Sequence, residues 1–153
     1  MTPKKLFNFF AKSEAVTWTL LISALIARAL GIDSVVVTIA GGIHGAIFLG
    51  YAVTAALVGV NQRWGFGKTA LGIFLAIVPF ATLPFEASLK KNDSLAGAWR
   101  TQKSENPKDA NWFDGLFRWF IARPYLLVLV LVTFVVSLFS FLLWLGPPDQ
   151  WFD

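Results

Sequence analysis

Residues 35–60 run for the length of a membrane-crossing helix without one formal charge, and with a single titratable side chain, His44. A helix rises about 1.5 Å per residue, so roughly 20 apolar residues cross a hydrocarbon core about 30 Å thick. Residues 124–145 repeat the pattern with no charged side chain at all. The stretches 14–32 and 69–85 are shorter and more interrupted, yet each is long enough to cross. The expected fold is therefore an all-α polytopic membrane protein of one membrane domain. It has transmembrane helices at 14–32, 35–60, 69–85 and 124–145, a polar loop at 86–109, and an amphipathic interfacial helix at 110–122.

The connections support that division. Residues 1–13 alternate lysines with bulky apolar side chains, as in Lys4, Lys5, Leu6, Phe7, Phe9, Phe10 and Lys12, which suits a short interfacial helix feeding the first span. The first span is read as retained rather than as a cleaved signal peptide, because Glu14 and Arg28 fit such a peptide poorly. Gly31-Ile32-Asp33-Ser34 is a tight turn, so the first two spans are antiparallel neighbours, with Asp33 or Ser34 capping the second. Pro79 and Pro84 should bend or end the third span. The loop 86–109 is rich in Lys, Asp, Ser and Asn and is expected to be exposed, with one helical turn at 95–99. Beyond it, Trp112, Phe113, Leu116, Phe117 and Phe120 share one helical face, with Asp114 and Arg118 on the other. Pro107 and Asp109 are the start signals, and Trp112, Phe113, Phe117, Arg118 and Phe120 are the expected interfacial anchors. Pro147-Pro148 stops the last helix, and Trp151-Phe152 returns to the interface.

Hydrophobic residues make up 56% of the 153 residues and charged residues only 14%, against about 45–50% and about 25% in soluble domains. With no Cys, disulfides, thiolate metal sites and thiol nucleophiles are excluded together. The net charge of +4 lies beside the spans, where anionic headgroups account for it better than nucleic acid does. With four spans, the termini and loop 61–68 share one side, carrying Lys4, Lys5, Lys12, Arg63 and Lys68. The opposite side then carries the more basic loop 86–123. A count of basic residues puts that loop in the cytoplasm; the determinants of the first span put the N-terminus there. Plasma-membrane residence with cytoplasmic termini is the expectation.

His44 is the most informative candidate residue, because an ionisable group near the membrane midplane is costly. A turn centred at 32–35 sets it level with Ser23 of the first span, and the next turn sets it level with Thr82 of the third. Glu14 falls level with Thr54, about 13 Å from His44 along the axis, too far for a direct pair. His44 can serve as an interhelical hydrogen-bonding group, as part of a quinone, lipid or proton site with Glu14 or Thr82, or as a metal ligand supplemented from elsewhere. Gly41 and Gly45, with the offset pair Gly42 and Ala46, form a small-xxx-small face on which a neighbouring helix can approach closely. No GxSxG, HExxH or complete phosphate-loop motif occurs. The expectation is no catalysis, no metal and no cofactor.

Several short motifs fall in a recognisable order. Ser13-Glu14-Ala15-Val16-Thr17-Trp18, Gly42-Ile43-His44-Gly45, Asn61-Gln62-Arg63-Trp64 and Val78-Pro79-Phe80-Ala81-Thr82-Leu83-Pro84-Phe85 resemble the DUF3817 family over about residues 3–91. The small residue usual at the position of Ala81 is present. The resemblance implies a small bacterial integral membrane protein with a three-span core and implies no activity; it leaves the aromatic helix and last span as an extension. The functional expectation is a non-enzymatic accessory or assembly subunit of a larger bacterial membrane complex, such as a cytochrome bc or oxidase assembly. Its partners are the bilayer and other integral membrane subunits. The alternative is a small-molecule site inside the bundle built on His44.

Overall fold

The computed structural model describes residues 1–103, 105 and 112–146. Among these the chain is entirely helical, with α1 (Pro3–Ala29), α2 (Val35–Asn61), α3 (Phe66–Phe74), a 3-10 turn (Leu75–Ile77), α4 (Thr82–Lys91), α5 (Trp112–Ile121) and α6 (Pro124–Leu145). α1, α2 and α6 are each long and apolar enough to cross a membrane, so the protein is a polytopic membrane protein. The chain divides into a unit of residues 1–99 and a unit of residues 100–153.

Local chemistry sets the helix ends. Thr2 accepts a hydrogen bond from Lys5 N at 3.3 Å, and Pro3 occupies the first helical position, where its missing N–H costs nothing. α1 therefore starts at Pro3, and the separate interfacial helix expected at 1–13 is instead its first three turns. At the other end Gly31, with φ +91°, closes a Schellman motif in which Ile32 N reaches Ala27 O at 3.0 Å. Of the two expected caps for α2, Asp33 supplies the bond, accepting from Val35 N at 2.9 Å, while Ser34 makes none.

The expected third span, 69–85, is not one helix. The residue before a proline is pushed out of the helical region, and Val78, before Pro79, is extended at φ −98°, ψ 121°. Phe80 then takes φ +64° and the chain reverses. α3 and α4 form an antiparallel hairpin, pressed so closely that a Cβ on Gly72 would lie 2.8 Å from the Phe85 ring. Pro84 is the third residue of α4, where its absent N–H leaves no helical bond broken.

The hairpin returns the chain to the end of the unit where it began. Trp99 Nε1 donates to Met1 O at 2.8 Å, Asn61 Nδ2 to Ala98 O at 3.2 Å and Trp64 Nε1 to Ser94 O at 3.0 Å. Residues 61–64 and 94–99 thus lie at one end of this unit, where the four-span expectation put the two connections on opposite sides. Nor is 86–99 an exposed loop with a turn at 95–99: 86–91 is helical, and Leu89 and Leu95 are buried without 95–99 being helical.

Phe7 is the centre of the core at this end. Its ring lies 5.5 Å from Tyr51, 5.9 Å from Trp64 and 6.3 Å from Phe85. On α1, Phe7, Ala11, Glu14 and Ala15 are buried at helical spacing, opposite Tyr51, Thr54, Ala55 and Val58 of α2. The far halves of α1 and α2 are different. Leu20, Leu25, Ile26, Ile39 and Ile43 are all exposed there, as lipid-facing residues are.

In the second unit, α5 turns Trp112, Phe113, Leu116 and Trp119 outward and buries Phe117 and Ile121. Arg100 binds Asp114 at 2.9 Å and stacks over Phe117 at 5.8 Å. α6 occupies the expected 124–145, and none of its residues is buried. The start of the interfacial helix at 110–111, its signals Pro107 and Asp109, and the segment from Pro147 to Phe152 lie outside the described residues.

Candidate functional site

Two buried polar pairs hang from one face of α1, in consecutive turns. Glu14 is fully buried, and Thr82, the first residue of α4, donates to its Oε2 at 2.9 Å and towards Ala11 O at 3.3 Å. α4 has no cap of its own at Ala81. The Glu14 side chain therefore meets the first residue of α4 through the Thr82 hydroxyl and ties the start of that helix to α1.

One turn on, Thr17 Oγ1 donates to Glu14 O at 2.9 Å and lies 3.0 Å from His44 Nδ1. A hydroxyl has one proton. With that proton on the Glu14 carbonyl the ring donates from Nδ1; in the other tautomer Nδ1 accepts it from Thr17 instead. Trp18 packs against the imidazole at 4.4 Å between centroids, and Phe48 lies 6.4 Å away on its other neighbour contact. Trp18 also ties down the hairpin tip, its Nε1 donating to Ala76 O at 3.2 Å. One carbonyl exposed by the helix break is thus served by protein, as membrane depth favours.

The residues named from sequence are partly brought together. Glu14 and Thr82 pair with one another, and His44 is not their partner. Ser23, expected to be level with His44, is exposed. The α1–α2 contacts pivot about Leu30–Gly31 and not about 32–35: Thr17 meets His44, and a Cβ on Gly41 would lie 3.9 Å from Leu21. The Schellman turn at Gly31 produces that earlier pivot and moves His44 from Ser23 to Thr17. Thr54, expected level with Glu14, is buried on the core face of α2.

Sequence reasoning missed Thr17 and Tyr51. Thr17 stands three residues after Glu14 and one before Trp18, so its position on the inner face of α1 was available as a signal. Tyr51 is fully buried, and its Oη, like Glu14 Oε1, has no hydrogen-bond partner among the described residues. The tight glycine approaches were also missed. Gly42 faces open space, whereas a Cβ on Gly50 would collide with the Phe10 ring and one on Gly72 with Phe85. Among the described residues no group of three or more His, Asp or Glu side chains could hold a metal ion.

Comparison with known proteins adds an address. The family model described as a domain of unknown function, DUF3817, matches residues 4–91, the part of the chain that holds both polar pairs and the hairpin. SCO5905 of Streptomyces coelicolor, whose name describes it only as a membrane protein, is 32% identical over 91 residues. The match covers 58% of this chain and 11% of that relative, so the chain spans a small fraction of the length of the protein it resembles. No solved structure matches.

Proposed function

The chain belongs to the DUF3817 family, and from that premise we propose that it is a non-enzymatic accessory subunit of a larger bacterial membrane assembly. The observation that carries this reading is the setting of the matched unit in the Streptomyces coelicolor relative, where it is 11% of a much longer chain. A unit of this kind is there joined to a larger polypeptide named as a membrane protein. Covalent attachment holds a binding unit beside its target at high effective concentration; a separate chain achieves the same by docking. Two surfaces here suit docking. α6 offers 22 residues of which none is buried, and Gly42 with the exposed Ala46 leaves an open small-residue face on α2.

A respiratory assembly of the cytochrome bc or oxidase type is the first setting to test. The tagged chain, purified in a mild detergent and weighed on native gels, should come out with stoichiometric integral membrane subunits. Gly42→Leu with Ala46→Leu should release them while leaving the chain folded. Recovery as a lone chain would overturn the reading.

The unpartnered Glu14 Oε1 and Tyr51 Oη favour a second reading, in which a proton or the polar head of a quinone or lipid is held inside the 1–99 unit. Tyr51→Phe should then lose the co-purifying ligand with assembly intact.

A further inference from the structure

The 66–91 hairpin brings together charges that a four-span chain would separate. Lys4 and Lys5 on α1, Arg63 and Lys68 at the α2–α3 connection, and Lys91 at the end of α4 all belong to the end where Trp99 meets Met1. Lys68 Nζ bonds Ser94 Oγ at 2.7 Å, which places the start of α3 beside the segment that follows α4. Lys90 at the same end is paired with Glu86. Glu86 is itself buried, and Asp93 is exposed there. The opposite end of the unit, the turn between α1 and α2, has only Arg28 and Asp33.

The depth of the hairpin is fixed by its contacts with α1. Ala76, near the tip, is bonded to Trp18, and Trp18 stands about 11 residues, or roughly 16 Å, short of the end of α1 at Ala29. The hairpin therefore stops well before the far end of the α1–α2 pair. At its tip Phe74, Ile77 and Val78 are exposed, apolar side chains of the kind hydrocarbon covers.

We propose that the basic end of the 1–99 unit is a binding surface for anionic phospholipid headgroups of the cytoplasmic leaflet, with residues 66–91 dipping into that leaflet and leaving it on the same side. Lysines and arginines concentrate on one side of the membrane under the positive-inside rule, and each is attracted to an anionic leaflet. The lysine stems of α1 flank the exposed ring of Phe9, so the same face offers apolar insertion and charge. Residues 61–68 and 92–99 then share the cytoplasmic side with the N-terminus, and the turn at Gly31–Ser34 faces out.

Because the chain has no Cys, single cysteines at exposed positions report sidedness directly. In intact cells a membrane-impermeant maleimide should label Asp33→Cys, and should label Lys5→Cys and Lys91→Cys only after permeabilisation. Labelling of Lys91→Cys together with Asp33→Cys would show that 66–91 crosses the membrane, and would overturn the proposal. The headgroup preference is read separately, with the full chain in nanodiscs of equal phosphatidylglycerol and phosphatidylcholine, ejected intact into a mass spectrometer. Retained phosphatidylglycerol should exceed phosphatidylcholine. The excess should fall by on the order of fivefold for each of Lys4→Gln and Lys5→Gln, with retained phosphatidylcholine unchanged as evidence of an intact fold. Equal retention of the two lipids by the unaltered chain would overturn the surface assignment even if the sidedness held.

Discussion

Thr82 Oγ1 lies 2.9 Å from Glu14 Oε2, joining the first turn of α4 to the inner face of α1 across 68 residues of sequence. The bond ties the helix that follows the break back onto α1, because Thr82 is the first residue of α4. It also serves one oxygen of a carboxylate that is otherwise enclosed.

Removing that donor should be costly. Thr82→Val keeps the shape and loses the hydroxyl, leaving a buried carboxylate oxygen unserved at about 2 kcal/mol. Thermal unfolding in detergent should show a clear drop in Tm, with Thr82→Ser much closer to the unaltered chain. An unchanged Tm for Thr82→Val would mean that the contact does not hold α4.

The Thr17–His44 bond makes a narrower prediction. Interhelical hydrogen bonds within membranes are worth about 0.6 kcal/mol on average, so Thr17→Val and His44→Phe should each destabilise modestly. A double-mutant cycle should return a coupling of about 0.5–1.5 kcal/mol. Strictly additive effects would separate the two residues. Ser23→Ala, at an exposed position, should show no coupling to His44.

Glycine positions should divide sharply. At Gly72 a Cβ would approach the Phe85 ring to 2.8 Å, while Gly42 has nothing within 4 Å. Gly72→Ala should therefore cost about 1–3 kcal/mol through overpacking and be partly rescued by Phe85→Leu. Gly42→Ala should leave the stability of the isolated chain the same or slightly higher, since alanine is the better helix former. Equal effects at the two positions would contradict the hairpin packing.

Asp93 ends α4 with φ +49°, in a Schellman arrangement where Ser94 N reaches Leu89 O at 2.9 Å. A side chain in that left-handed conformation costs roughly 1–2 kcal/mol, less for Asp than for most residues. Asp93→Gly is expected to raise Tm by relieving it, and Asp93→Val to lower it. The same ranking from both variants in detergent would confirm the backbone conformation there.

Two of the long helices and several turn positions were legible in the residues, whereas the start of α1 and the broken third run were not. The charge-free runs 35–60 and 124–145 became α2 and α6 almost to the residue, Gly31 closed α1, and Pro79 marked the break. Charge exclusion and turn chemistry act locally, so one pass along the chain finds them. His44, Glu14 and Thr82 were also found, because polar groups stand out in apolar sequence.

Which of these residues meet was a different matter. In lipid an outward-facing leucine and an inward-facing one are equally apolar, so hydropathy carries little information about how a membrane helix is rotated or paired. The pivot at Leu30–Gly31, the Thr17–His44 bond and the return of α4 to the starting end depend on turn geometry and on contacts between distant segments. The sequence alone established an all-helical membrane chain with rare buried polar groups. Only the tertiary structure decided that Glu14 belongs to Thr82, His44 to Thr17, and residues 66–91 to a hairpin, because these pairings come from helix register and close packing, which no local pattern records.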